Sequence, residues 1–223
     1  MPYIRWLVAQ KREWHHSPDP NAAALGFRGR HTRGYLPHFD APGTTQMIGF
    51  RLADSLPQER RPEWESILRI KDERERRVRL EEYLDLGHGA CELAIPAVAE
   101  RMENILLYDD ERRCRLLAWV IMPNHVHVLV EIDATPMSKL VQCWKKLASD
   151  FVNARCQRAG RWWQEDYFDR YIRDEAHFHK AVHYLEHNPV KAGLVKEAKE
   201  WPWGSAKWQP EGCGLQPVQR PKQ

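Results

Sequence analysis

The sequence predicts an α+β domain, and three features carry that prediction. The stretch Leu117–Glu131 reads as two short apolar strands either side of Pro123-Asn124, most simply a hairpin. Two later stretches, from Met137 to about Arg158 and from Asp174 towards Gly193, repeat apolar residues at helical spacing. Read end to end, the elements run strand, helix, strand pair, helix, strand, helix.

Residues Met1 to Gly43 carry Pro, Gly, His and Arg without periodicity, and are read as an irregular arm. His15 and His16 in it fit solvated side chains better than a metal site, and its arginines suit either solvent or a phosphate backbone. Thr44–Leu52 is the first strand, with Met47, Ile48 and Phe50 as its apolar content. Leu56-Pro57 then opens a charged helical region with Trp64, Ile67 and Leu68 on one face. The mixed-sign run Lys71–Arg77 marks an exposed helix face, and Gly87-His88-Gly89 breaks the helix. A second helical segment with Leu93, Val98 and Met102 ends near Tyr108, and Asp109–Arg113 turns into the hairpin.

In the helix after Pro136, Leu140, Trp144, Leu147 and Phe151 form the buried stripe, while Lys139, Lys145, Lys146 and Arg155 supply positive charge. Arg158–Arg173 crowds aromatics among arginines over a loop and a strand, a combination that suits unstacked bases and phosphates. Buried packing by Trp162, Trp163 and Phe168 explains the same residues about as well, and at least one of the tryptophans is expected in the core. Asp174 suits a helix N-cap, and Pro189 with Gly193 is expected to end the last helix. Trp201-Pro-Trp203 should dock the chain end on the domain, and Pro210–Gln223 reads as a loose tail. The domain is therefore placed at residues 44–209, between an arm at 1–43 and a tail at 210–223.

Composition narrows the function classes less than pattern does. Of 223 residues, 43% are hydrophobic and 29% charged, which fits a globular chain with a sizeable core. No apolar run approaches the roughly 20 residues of a membrane span, and the first residues lack a secretory pattern. Five cysteines without a Cys-x-x-Cys disfavour a disulfide framework or a cysteine zinc site, so a cytoplasmic location is expected. A net charge of +3 does not by itself demand nucleic acid.

The chemistry concentrates in two places. Alternate strand residues share a face, so His125 and His127 project together while Val126, Val128 and Val130 project towards a core. Paired imidazoles on a rigid strand make a bidentate metal clamp, although a lone His-x-His is more often an ordinary strand feature. On the last helix, Tyr184 and Asn188 are four apart and lie on one face, presenting a phenol beside an amide oxygen. His179, His183 and His187 form a separate stripe rotated away from Tyr184, better read as solvent-facing than catalytic. His177, seven residues before Tyr184, lies on nearly its face.

The pair Met122-Pro-Asn-His-Val-His127 and Tyr184-Leu-Glu-His-Asn-Pro-Val-Lys-Ala-Gly-Leu194 resembles the single-tyrosine HUH transposases, and among them the REP-associated tyrosine transposase branch. Leu36–Gly43, Phe50–Pro57, Trp163-Gln164, Tyr167–Asp174 and Glu200–Trp203 extend the likeness from about Gly34 to Trp208. The resemblance implies a ferredoxin-like antiparallel sheet carrying the histidines, with helices packed on it and the tyrosine helix at its edge. The helical material between Leu56 and Tyr108 is longer than a minimal version needs.

It further implies a single-stranded DNA endonuclease and strand transferase that acts at hairpin-forming repeats. In such an enzyme Tyr184 forms a 5′-phosphotyrosine, and His125, His127 and Asn188 hold a divalent ion, Mg2+ or Mn2+. Lys145, Lys146, Arg161, Trp163, Arg170, Arg173 and Lys191 are the candidate DNA contacts. The expected partner is single-stranded or hairpin DNA, with no membrane, and the state a monomer or homodimer. The alternative is a domesticated binder of single-stranded nucleic acid that does not cleave. Intact His125, His127, Tyr184 and Asn188 argue against it.

Overall fold

The computed structural model describes residues 21–33, 36–157 and 159–208. The readings at His15, His16 and the tail from Pro210 lie outside the described residues. After a single helical turn at Ala22–Leu25 comes a short ribbon, β1 (Gly29–Arg33) paired antiparallel with β2 (Leu36–Asp40). Then follow β3 (Thr44–Arg51), α1 (Arg61–Leu68), α2 (Glu73–Asp85) and α3 (Pro96–Asp109). The hairpin strands β4 (Cys114–Ile121) and β5 (His125–Ile132) lead to α4 (Met137–Arg155), β6 (Phe168–Tyr171) and α5 (Glu175–Lys191).

The main sheet has the order β4-β5-β3-β6, and every neighbouring pair is antiparallel. β3 and β4 are thus joined by a helical crossover with β5 slotted between them. This is the ferredoxin-like arrangement within the α+β class that the sequence predicts.

Alternation along β5 sorts its side chains to two faces. Val126, Val128, Val130 and Ile132 are buried with Leu140, Val141 and Trp144 of α4 and with Val98, Ala99 and Met102 of α3. Leu129 joins Phe178, Val182 and Leu185 of α5 on the opposite face, the one that carries His125 and His127. On β4 the alternation slips between Leu116 and Ala118, so Leu117 and Ala118 both face α5. The extra residue makes a β-bulge at the edge strand. The tyrosine helix therefore rests on the face of the sheet over β4 and β5, rather than beside its edge.

Two further expectations need correction. Gly29–Arg33 and Leu36–Asp40 form a paired ribbon, not irregular chain, and the second strand is held from far away in sequence. The His38 Nδ1 bonds to Asp169 on β6, the Phe39 N–H donates to the Asp169 Oδ2 at 3.1 Å, and the Met137 N–H at the start of α4 donates to Asp40 at 3.0 Å. Pro189 does not end α5, which continues to Lys191. A proline inside a helix forfeits one hydrogen bond, here offset by burial of Pro189 with Leu185 and Asn188. The stop comes at Gly193, where φ is +70°. There the Gly193 N–H donates to Val190 O at 3.0 Å and the Leu194 N–H to Pro189 O at 2.9 Å, the Schellman pattern that suits glycine.

The docking of Trp201–Trp203 is as expected. Trp203 O accepts from the Ile121 N–H at 2.8 Å, and the Trp201 indole donates to Ile121 O at 3.0 Å. Among the described residues, no helix is long and apolar enough to cross a membrane.

Candidate active site

The tight turn at Pro123-Asn124 brings the start of β5 to the top of the sheet, where the Met122 N–H donates to His125 O at 2.8 Å. Asn124 is buried and braces its surroundings. Its amide donates to Leu84 O at 3.2 Å and His88 O at 3.1 Å, anchoring the end of α2. Its Oδ1 lies 2.8 Å from the His125 Nδ1. An amide oxygen only accepts, so the His125 proton sits on Nδ1 and the Nε2 lone pair is left for another partner.

His125 and His127 are both buried, with ring centroids 4.9 Å apart. Burial disfavours their charged forms. His125 is held well below the ordinary histidine value by desolvation, then by His127 and the nearby cations Arg51 and Lys191. His127 is lowered to about 4 by desolvation and then by Lys191. Both rings are therefore neutral at physiological pH, the state in which imidazole donates a lone pair to a metal. His127 has room because Gly49 faces it across the β3–β5 ladder.

Asp174 caps α5 by accepting from the His177 N–H at 2.7 Å, as expected from sequence. Two turns on, Tyr184 reaches the histidines. Its ring centroid is 5.6 Å from that of His127, edge to face. The Asn188 Nδ2 lies 3.5 Å from the Tyr184 hydroxyl, so the i, i+4 spacing brings phenol and amide together. Asn188 is fully buried, and its Oδ1, the His125 Nε2 and both His127 ring nitrogens have no hydrogen-bond partner. Buried polar atoms are normally satisfied. This set of imidazole nitrogens and an amide oxygen fits a divalent ion with open positions for phosphate and water. Among the described residues, no His, Cys, Asp or Glu joins the pair to make a cluster of three.

The site opens into a groove of about 840 Å³. His125, His127, Gly49 and Arg51 form its floor, and His177, Lys180 and Tyr184 of α5 one side. Arg161, Phe168 and Arg170 come from the segment around β6, while Trp64, Leu80 and Leu84 come from α1 and α2.

The candidate DNA contacts divide sharply in this frame. Arg161 and Arg170 line the groove, Arg161 exposed and paired with Glu165 at 3.3 Å. Arg173 is exposed just before α5. Lys191 is exposed and reaches Asp85 of α2 at 2.9 Å. Lys146 lies away from the groove lining and pairs with Asp150 at 2.6 Å. Lys145 instead donates to the carbonyls of Gln164, Glu165 and Asp166 at 2.8, 3.0 and 3.0 Å, pinning the chain that leads to β6.

Trp163 is not a base platform. It is 4% exposed, its indole donates to Lys145 O at 3.1 Å, and its ring packs edge-on against Phe50. Trp162 is core as well. His179, His183 and His187 do not line the groove. His183 and His187 stack at 3.9 Å, and His179 lies 3.8 Å from Glu175. Asn124, Gly49 and Arg51 join the site without a role predicted from sequence, and Trp64, expected on an apolar helix face, lines the groove. The two flanking sequence signals were an asparagine directly before a histidine in a turn, and a glycine within a strand.

Comparison with known proteins fits this geometry. The family described as Transposase IS200 like matches residues 94–188, a window that runs from α3 to Asn188. The REP-associated tyrosine transposase of Escherichia coli (strain K12) is 30% identical over 104 residues, covering 45% of this chain and 59% of that protein. The chain is similar to the REP-associated tyrosine transposases. A putative REP-associated tyrosine transposase of Haemophilus influenzae (strain ATCC 51907 / DSM 11121 / KW20 / Rd) is 26% identical over 100 residues, 40% of this chain and 57% of that one. The matches thus span less than two thirds of these curated transposases. A REP-associated tyrosine transposase solved in complex with a REP hairpin shares the fold, with a TM-score of 0.51 and 18% identity over 86% of this chain and 92% of that one.

Proposed function

We propose that this protein is a metal-dependent endonuclease and strand transferase for single-stranded DNA, with Tyr184 as its nucleophile. The observation that carries the reading is convergence. The Tyr184 phenol and the His125–His127 pair line one groove, the buried Asn188 amide lies 3.5 Å from the phenol, and the His125 Nε2, the His127 ring nitrogens and the Asn188 Oδ1 have no hydrogen-bond partner.

Cutting a phosphodiester needs a placed nucleophile and relief of charge on the phosphate. His125, His127 and Asn188 would hold Mg2+ or Mn2+, which supplies Lewis-acid polarisation of the scissile phosphate. Tyr184 sits on a helix fixed by packing of Phe178, Val182 and Leu185 against the sheet, so the phenol approaches a phosphate on the groove floor with little freedom to lose. Its oxygen attacks phosphorus, the bond to the 3′ oxygen breaks, and the phenolic proton is lost to solvent while the leaving oxygen gains one. The product is a 5′-phosphotyrosine and a free 3′-hydroxyl. Attack by a 3′-hydroxyl on that linkage reverses the step without a nucleotide cofactor. Arg161, Arg170 and Lys180 are placed to follow the strand along the groove.

A transposase of the same fold solved with a REP hairpin supports hairpin DNA as substrate, and the groove is read as the path of a single-stranded flank. The test is incubation with labelled hairpin DNA and Mg2+ or Mn2+, followed by a denaturing gel. A protease-sensitive adduct is expected from wild type and from neither Tyr184→Phe nor His127→Ala. An adduct that persists in Tyr184→Phe would move the nucleophile elsewhere, and binding with no cleavage across metals and hairpins would favour a binding-only protein.

A further inference from the structure

The wall of the groove formed by α1 and α2 has features that phosphate cleavage alone does not require. Arg51 ends β3 in register with His125, and its guanidinium carbon lies 3.8 Å from the Trp64 ring centroid. Trp64 is itself buried and is braced edge-on by Tyr83, centroids 5.5 Å apart, which in turn meets His88 at 4.8 Å. The planar cation is therefore backed by one ring and supported by a second. Val78, Leu80 and Leu84 of α2 line the same wall, with Glu81 among them. The wall is continuous with His125, His127 and Tyr184, and the groove volume falls within the roughly 300–1,000 Å³ of sites that enclose a small ligand.

We propose that this wall is a nucleobase receptor: the base of a nucleotide next to the scissile phosphate leaves the stack and lies against the Arg51 guanidinium, between Trp64 and the apolar side of α2. The inference rests on the reading of the site as one for single-stranded DNA. Bases stack on guanidinium planes as readily as on aromatic rings. A guanidinium already flattened on an indole loses little freedom on doing so. Arg51 is the register partner of His125 on the neighbouring strand, which puts the stacked base within a nucleotide's reach of a phosphate at the histidines. Because stacking accepts any base, the receptor fixes where the strand lies more than which base it carries. It also gives the extra helical insert between β3 and β4 a role, since α1 and α2 supply the wall.

The test uses the full chain carrying Tyr184→Phe, so that binding is read without cleavage. A fluorescent hairpin with a single-stranded flank is scanned with one abasic nucleotide at each flank position, and Kd is measured by anisotropy at fixed salt. Loss of a stacked base at one position is expected to weaken binding by about tenfold or more. Adding Arg51→Lys, which keeps the charge and loses the plane, or Trp64→Leu is expected to remove that penalty.

A scan in which the intact flank binds and no position costs more than about twofold overturns the receptor and leaves the site reading intact. A penalty that survives unchanged in Arg51→Lys overturns it equally. Failure of any single-stranded flank to bind overturns the functional reading itself. The abasic scan varies the DNA and not the protein, so misfolding of a variant cannot imitate its result.

Discussion

Gly49 stands opposite His127 so closely that a Cβ on it would lie 2.8 Å from the His127 Nδ1 and 2.9 Å from Cε1. The obstacle would be the His127 ring on the groove floor, which a Cβ there would push from its place. Gly49→Ala is therefore expected to fold with a loss of about 1–3 kcal/mol, the usual cost of overpacking. It should also weaken Mn2+ binding by about 10–100-fold, because the imidazole is displaced from its partner. Calorimetric titration with Mn2+ together with urea denaturation measures both. Unchanged Mn2+ affinity would show that the gap at Gly49 does not position the ring.

Much of this site was legible because its spacing obeys local geometry. His-Val-His on a strand puts two rings on one side whatever the rest of the chain does, and Tyr184 with Asn188 needs only a helix. Gly49 and Asn124 were illegible for the opposite reason. Their roles arise from strand register and from the packing of α2, contacts that join residues 36 to 78 positions apart. Trp163 misled because an aromatic among arginines has the same composition whether it faces a strand of DNA or a core. The strand Leu36–Asp40 shows no alternation to read, since it is tied to β6 and α4 through Asp169 and Asp40. Pro189 is a helix breaker by propensity, overridden by burial.

Asn124 carries two duties in one side chain, anchoring α2 and fixing the proton of His125. Asn124→Ala leaves Leu84 O and His88 O short of a donor and lets the His125 ring choose its tautomer. Each buried acceptor left unpaired costs about 1–3 kcal/mol. Mn2+ affinity should fall by about 10–100-fold, as for lost outer partners of ligating histidines. Urea denaturation and calorimetric titration read the two effects. Loss of stability with full Mn2+ affinity would assign Asn124 to α2 alone.

Lys145 and Lys146 are neighbours in sequence with opposite roles. Lys145 satisfies three carbonyls of the segment before β6, whereas Lys146 is exposed and pairs with Asp150. Lys145→Met is expected to destabilise the fold by about 2 kcal/mol, since bonds to charged groups are each worth about 1.5–3 kcal/mol and this site is partly solvated. Lys146→Met should leave the denaturation curve where it is. If instead both variants unfold alike while both reduce the salt dependence of DNA binding, the two lysines are a phosphate-binding pair.

Asp40 offers a test by pH. It is 1% exposed, and burial raises its pKa, opposed by the bond from the Met137 N–H and by the charges of His31 and Arg28. A carboxyl whose folded value lies above its unfolded value contributes stability that is fully present below the unfolded value. That contribution is lost as pH rises through the folded value. The difference in unfolding free energy between wild type and Asp40→Asn should therefore decline as pH rises from about 4, then level off. Asp40→Asn keeps an acceptor for Met137, so it should match or exceed wild type at pH 7. Asp40→Ala leaves the start of α4, where no side chain caps the helix, without that acceptor and should lose about 1 kcal/mol. Urea denaturation between pH 3.5 and 7 decides it: a difference that grows with pH would mean that the ionised carboxylate is the favoured form, and that Asp40 holds the ribbon to α4 as a charge.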